Sequence, residues 1–201
     1  MILTGPAIRA AIASNIITIT PLDPDQVDQA GVTLHLHPRL LECWTKQTAK
    51  AEGLKNVEVA PLDVRVDDGD RFYPVEPDAS GAFLLLPGRF YLGATIERIH
   101  APLHVVRVDG KSSPGRKSLE VHRTAGHVEP GFGGQITLEM SVLVPLLIPP
   151  GWPVCQAVFH EVTGLVESYD RRGHYADANG AEGPQTSRSH LHRTRHIKPT
   201  P

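Results

Sequence analysis

Short runs of apolar and β-branched residues, interrupted every few positions by glycine or proline, constrain this chain more than any other feature of its sequence. Eighteen glycines and 18 prolines fall among 201 residues. Proline removes a helix donor and glycine weakens a helix interior, so a bundle of long helices is excluded. The hydrophobic fraction of 40% can fill a packed core, and 21% charged residues is too few for a disordered chain. Near the start, Thr4 can cap a helix with Pro6 in its first turn and Ile8, Ala11 and Ile12 on one face, ending near Ser14-Asn15. From there the period becomes two. Strands are expected over residues 16–20, 32–37, 57–66, 83–86, 90–92, 104–108, 119–123, 135–144 and 154–162. Short strands at close spacing favour a closed or double-sheet β architecture.

The composition changes after Val166, where residues 168–188 are polar, glycine-rich and without apolar periodicity. This divides the chain into a β domain over 1–166 and a mobile C-terminal lid with a basic tail over 167–201. The tail holds Arg188, Arg193, Arg195 and Lys198 with three histidines and no acid. An anionic partner and a solvated terminus are both open to it, and the solvated terminus is favoured. The formal charge is -2, and no nucleic-acid or membrane partner is expected. No apolar run reaches the roughly 18 residues of a spanning helix, and Met1-Ile2-Leu3 runs straight into Thr4-Gly5-Pro6 rather than a leader, so a cytoplasmic protein is expected. Cys43 and Cys155 are far apart and without partner spacing, which reads as two buried free thiols.

Chemistry is densest in Gly110-Lys-Ser-Ser-Pro-Gly-Arg116, then His122-Arg-Thr-Ala-Gly-His-Val-Glu-Pro-Gly131 and Gln135-Ile-Thr-Leu-Glu-Met140. Lys111 offers a cation, Ser112 and Ser113 offer hydroxyls, and a glycine-flanked turn can aim backbone N–H groups at phosphate. A turn closing a hairpin would use the same residues. Glu139 should lie on the face of its strand opposite Ile136, Leu138 and Met140, toward water or a pocket, where a desolvated carboxylate could shuttle protons. Eleven histidines include the H-x-H pairs His35/His37 and His190/His192, but no third ligand has an identifiable position. Gly131-Phe-Gly-Gly134 lacks dinucleotide spacing and reads as a turn. The P-C-x-x-C signature of zinc-dependent nucleobase deaminases is absent.

Taken together, these segments resemble the dCTP deaminase branch of the dUTPase-like superfamily. Gly31-Val-Thr-Leu-His-Leu36 is similar to that family's "A-S-V-D-L-R-L" strand, and Leu86-Pro-Gly-Arg-Phe-Tyr-Leu-Gly-Ala-Thr-Ile-Glu97 to its "P-G-x-F-x-L-G-x-T-x-E" stretch. Gly110 to Arg116, Thr124 to Phe132 and Gly134 to Glu139 follow in family order and spacing. The resemblance implies a mainly β, distorted dUTPase-like β-barrel or jelly-roll with a short N-terminal helix. It also implies a homotrimer with sites at subunit interfaces, each binding a deoxynucleoside triphosphate with Mg2+ held through the phosphates and no zinc or protein-held metal.

Carried over by position, Glu139 matches the catalytic acid/base, and Ser112 and Arg116 match residues beside the reacting cytosine and its water. Lys111 and Ser113 match phosphate contacts, and backbone groups around Thr124, Ala125 and Gly126 match those reading the base edge. Glu129 stands where an Asp near the deoxyribose is usual, and Gln156 matches a Gln in the strand after the Pro150-Gly151 turn. Tyr175, after His174, stands for a Lys-Tyr of the lid. The sequence departs from the family pattern at Pro114, where Leu is usual, and at Met140-Ser141-Val142, where Leu-Ser-Asn is common. The function implied is zinc-independent deamination of dCTP to dUTP and ammonia. The alternatives are a bifunctional enzyme that goes on to dUMP and diphosphate, a plain dUTPase, in which Glu139 would have no task, and a non-catalytic nucleotide-binding regulator.

Overall fold

In the computed structural model, residues 1–51, 53, 59–64, 69–167, 169, 175 and 177–185 are described. The chain runs through α1 (Gly5–Ala13), β1 (Thr18–Thr20), a 3-10 turn (Pro24–Gln26), β2 (Val32–His35), β3 (Leu40–Cys43) and α2 (Lys46–Ala51). A second 3-10 turn (Gly69–Arg71) leads into β4 (Phe72–Val75), β5 (Phe83–Leu85), β6 (Tyr91–His100) and β7 (His104–Gly110). Then come α3 (Ser112–Arg116), β8 (Leu119–Glu120), β9 (His127–Val128), β10 (Gly133–Val142), β11 (Leu146–Ile148) and β12 (Pro153–Glu161).

The strands form antiparallel sheets. One runs β4-β3-β6-β10-β8 with β1 added on β6, a second runs β2-β12-β7-β9, and β11 pairs with β5 in a small third. Alternation along each strand sends one set of side chains inward. Leu34, Val106, Val108, Cys155, Ala157 and Phe159 meet Tyr91, Ile99, Leu138 and Met140 in a single core, which Ile8 of α1 joins. Between the two large sheets lies a buried polar joint. Glu97 of β6 is 2% exposed and accepts from the backbone N–H of His35 at 2.9 Å, from His35 Nδ1 at 2.6 Å and from Gln26 Nε2 at 2.8 Å.

The mainly β expectation agrees with this architecture, and most differences lie at element ends. Thr4 occupies the N-cap of α1, but its side chain makes no capping bond; Pro6 has removed one of the N–H groups that such a hydroxyl would serve. Within the expected 57–66 strand, the described residues 59–64 form none, and the Ala60 carbonyl is taken by Arg71 Nη1 at 2.7 Å. The rest of that segment lies outside the described residues. The expected 90–92 strand runs on to His100, whereas that at 119–123 stops at Glu120 because the following backbone turns toward Glu139. Periodicity passed over β3, β4, β9 and β11, each of four residues or fewer.

Beyond Val166, the described residues 177–185 lie against the start of β10. Asp177 N donates to Gly133 O at 2.7 Å, Gln135 N to Ala178 O at 3.0 Å and Gly180 N to Gln135 Oε1 at 2.6 Å. Gly134 makes this approach feasible, since a Cβ there would sit 2.8 Å from the Ala178 amide nitrogen.

Candidate active site

Strand β10 presents Glu139 as its alternation requires. Ile136, Leu138 and Met140 are buried on one face, while Thr137 and Glu139 are half-buried on the other. Glu139 Oε2 accepts two backbone N–H groups, from Arg123 at 3.2 Å and Thr124 at 3.4 Å. Oε1 has no hydrogen-bond partner among the described residues.

Behind that contact, Val108 N donates to Gly126 O at 2.8 Å, tying the segment 124–126 to β7. The His122 ring packs so closely over Gly126 that a Cβ there would lie 2.9 Å from the ring's Cε1 and Nε2. Only glycine fits, which was not legible in the linear order. Thr124 and Ala125 are exposed and Gly126 is buried.

A second group surrounds Lys111. Its Nζ donates to Thr33 Oγ1 at 2.7 Å and lies 3.5 Å from Asp28 Oδ2, which also accepts from Thr33 Oγ1 at 2.9 Å. Gln156 is half-buried on β12, with Thr33 and Asp109 as its register partners on either side. Thr33 and Asp28 were missed as partners of Lys111. The signal for Thr33 was its outward position in an alternating strand, but nothing local connects it to a lysine 78 positions away.

Lys111 is also the N-cap of α3, so the glycine-flanked turn, expected either to face phosphate or to close a hairpin, is a short helix with Pro114 buried beneath it. Ser112, Ser113 and Arg116 project from it, exposed, and make no side-chain hydrogen bond or ion pair among the described residues. Glu129 is exposed with Oε1 3.5 Å from His127 Nε2. Tyr175 belongs to the C-terminal segment, where its hydroxyl accepts from Gln185 N at 3.0 Å. Within the chain, Thr124 is thus brought to Glu139, and Gln156 lies in the strand row of Lys111's partner Thr33. Among the described residues, no hydrogen bond or ion pair joins the Lys111 group to Glu139.

Neither histidine of the first H-x-H pair is arranged for joint metal binding. His35 Nδ1 faces Glu97, and His37 Nδ1 accepts from Arg39 N at 3.0 Å. Burial and the nearby Arg39 charge both hold the His37 pKa below the usual imidazole value. The second pair, His190/His192, lies outside the described residues. Cys43 and Cys155 are buried free thiols, and burial pushes the Cys155 pKa far up.

A family model described as dCTP deaminase-like matches residues 2–162. The chain belongs to the dCTP deaminase-like family. The matched range contains every candidate residue of this dCTP deaminase-like protein except Tyr175. Among its relatives, a "dCTP deaminase, dUMP-forming" of Coprothermobacter proteolyticus is 34% identical over 195 residues, covering 95% of this chain and 97% of the relative. One of the same name from Halobacterium salinarum is 38% identical over 198 residues, covering 94% of each. The crystal structure of 2'-deoxycytidine 5'-triphosphate deaminase from Agrobacterium tumefaciens shares the fold at TM-score 0.57 and 21% identity, over 83% of this chain. The dCTP deaminase-like chain spans 50% of that longer chain.

Proposed function

We propose that this protein deaminates dCTP and then hydrolyses the dUTP formed to dUMP and diphosphate. The observation that carries the deamination is Glu139, half-buried, with Oε2 held by two backbone N–H groups and Oε1 available beside the 124–126 segment. The second step is supported by the dUMP-forming names of the relatives, which favour the bifunctional reading over a product that stays at dUTP.

In the first step Glu139 accepts a proton from the water that adds to C4 of cytosine. It delivers that proton to N3, then takes a second proton from the C4 hydroxyl of the tetrahedral adduct and passes it to the amine as the C4–N bond breaks and C4=O forms, so that dCTP and water become dUTP and ammonia. Ser112 and Arg116 orient that water and stabilise the developing charge, and Lys111 and Ser113 hold the phosphates. The base edge is read by backbone groups of Thr124, Ala125 and Gly126, with Glu129 near the sugar and Gln156 beside the Lys111 row. In the second step water adds to phosphorus and diphosphate leaves.

Magnesium, a hard cation that prefers oxygen ligands, supplies charge neutralisation on the phosphates. Zinc has no part in this reading.

A homotrimer with shared sites is part of the same reading, as is a lid from residue 167 onward that bears Tyr175 and closes over the triphosphate. Leu84 and Leu147 are register partners, 45% and 55% exposed, and Leu143, Val144 and Trp152 are also more than half exposed, which supports a covering copy. A cytoplasmic location is proposed as well, and among the described residues no helix is long and apolar enough to cross a membrane.

The test is product identification after incubation with dCTP and Mg2+, and separately with dUTP. The expected result is dUMP, ammonia and diphosphate from dCTP. Accumulation of dUTP alone would reduce the function to deamination, and hydrolysis of dUTP without deamination of dCTP would make it a dUTPase. Glu139→Gln should retain nucleotide binding and lose deamination. A sedimenting species three times the chain's mass checks the trimer.

A further inference from the structure

Three side chains outside the roles assigned above meet next to Glu139. Ser141 lies two positions along β10 on the same half-buried face, and its register partner across β8 is Glu120. Ser141 Oγ donates to Glu120 Oε2 and accepts from Arg123 Nη1 at 3.4 Å, while Arg123 Nη1 stands 3.9 Å from Glu120 Oε2. The residue whose guanidinium closes this triangle is the one whose backbone N–H reaches Glu139 Oε2.

The segment between β8 and β9 is therefore fastened to the strand bearing the carboxylate in two places, once by backbone and once by side chain. Its flanks are held separately, by the β8 pairing at Glu120 and by Gly126 O on Val108 N. In between, Arg123, Thr124 and Ala125 are exposed and lie outside any strand. At 3.2 and 3.4 Å the two N–H contacts are long for hydrogen bonds, and so depend on whatever keeps the segment in place.

We propose that Arg123, Ser141 and Glu120 form a clamp of positioning residues that keeps the Arg123 and Thr124 N–H groups on Glu139 Oε2. None of the three touches the substrate in this scheme; they act through Glu139. The proposal rests on the deaminase reading for its kinetic consequence, but the clamp itself is a statement about the ligand-free chain. Without it, the segment gains freedom, Glu139 loses its fixed orientation, and the cost appears in the chemical step rather than in triphosphate binding at Lys111.

The experiment combines kinetics with amide exchange on the full chain. Arg123→Ala and Ser141→Ala should each lower kcat for dCTP roughly threefold to tenfold, with KM changed less than twofold. Because both break one unit, the double variant should fall no further than the worse single one. Glu120→Gln, which can still accept from Ser141, should retain most of the kcat that Glu120→Ala loses. In the absence of nucleotide, the amide protons of residues 123 and 124 should exchange at least threefold faster in Ser141→Ala, with global unfolding unchanged.

Multiplicative losses in the double variant, equal loss from Glu120→Gln and Glu120→Ala, or a rise in KM at constant kcat would each overturn the clamp, as would unchanged exchange. A wild-type protein that turns over no dCTP would refute the deaminase reading instead, while the exchange measurement still decides the clamp.

Discussion

His35 Nδ1 and Glu97 Oε1 meet at 2.6 Å between the two large sheets, and Glu97 is 2% exposed. Its other oxygen accepts the His35 backbone N–H at 2.9 Å, so one carboxylate is satisfied by a ring, an amide and the side chain of Gln26. Gln26 Nε2 also reaches the Thr33 carbonyl at 2.8 Å. The joint therefore steadies β2, the strand that presents Thr33 to Lys111. Glu97→Ala leaves these half-buried donors without that acceptor and should destabilise the fold by about 2 kcal/mol, read by urea denaturation. Glu97→Gln, which keeps an acceptor, should cost clearly less.

Lys111→Met removes the cation beside Asp28 and Thr33 while keeping the length of the side chain. If Lys111 holds phosphate as proposed, its loss should raise KM for dCTP about tenfold to a hundredfold. The kcat measured at saturating nucleotide should change much less, because in the proposed scheme Lys111 holds phosphate while Glu139 carries the chemistry. Steady-state kinetics at fixed free Mg2+ provides the check.

Gly126→Ala places a methyl 2.9 Å from the His122 ring and 3.0 Å from the Val108 carbonyl. Neither neighbour yields freely, since one is a ring and the other a strand backbone. The 124–126 segment must shift, and kcat/KM for dCTP should fall at least tenfold, with stability lowered by about 1–2 kcal/mol. Thermal unfolding beside kinetics separates the two effects.

His104 is 8% exposed and stands edge-on to Phe159 at 6.5 Å, with Nδ1 unpartnered among the described residues. Burial lowers its pKa below the ordinary imidazole value of 6.5, with the Glu161 charge opposing in part. In the window between the folded pKa and 6.5 the unfolded chain binds more protons than the folded one, so this histidine makes stability rise with pH. As pH falls below 6.5 the contribution is progressively lost, and the loss is complete below the folded pKa. The Tm of the wild type should drop over this range, and His104→Leu should flatten that part of the profile.

How much of this was legible beforehand differs from residue to residue. The two faces of β10 follow from a period of two, so Glu139 could be placed opposite Ile136, Leu138 and Met140 without a structure. Pro87-Gly88 ahead of the apolar run Phe90-Tyr91-Leu92 marked the start of β6, although its length to His100 was underestimated. By contrast, β3, β4, β9 and β11 are too short for their own periodicity to show; β3 and β9 line up on the longer β6 and β7, while β4 and β11 pair with strands as short as themselves.

Sequence alone determined the β class, the one helix near the N-terminus, the outward position of Glu139 and the motif order that marks the family. Those properties depend on residues within a few positions of one another, where alternation, proline and glycine act through local backbone geometry. Only the tertiary structure decided that Glu97 is met by His35 and Gln26, that Lys111 rests on Thr33, and that Arg123 and Thr124 point their N–H groups at Glu139. Each of these contacts joins elements far apart in the chain. Their register is set by the packing of two sheets around one core, which no local pattern encodes.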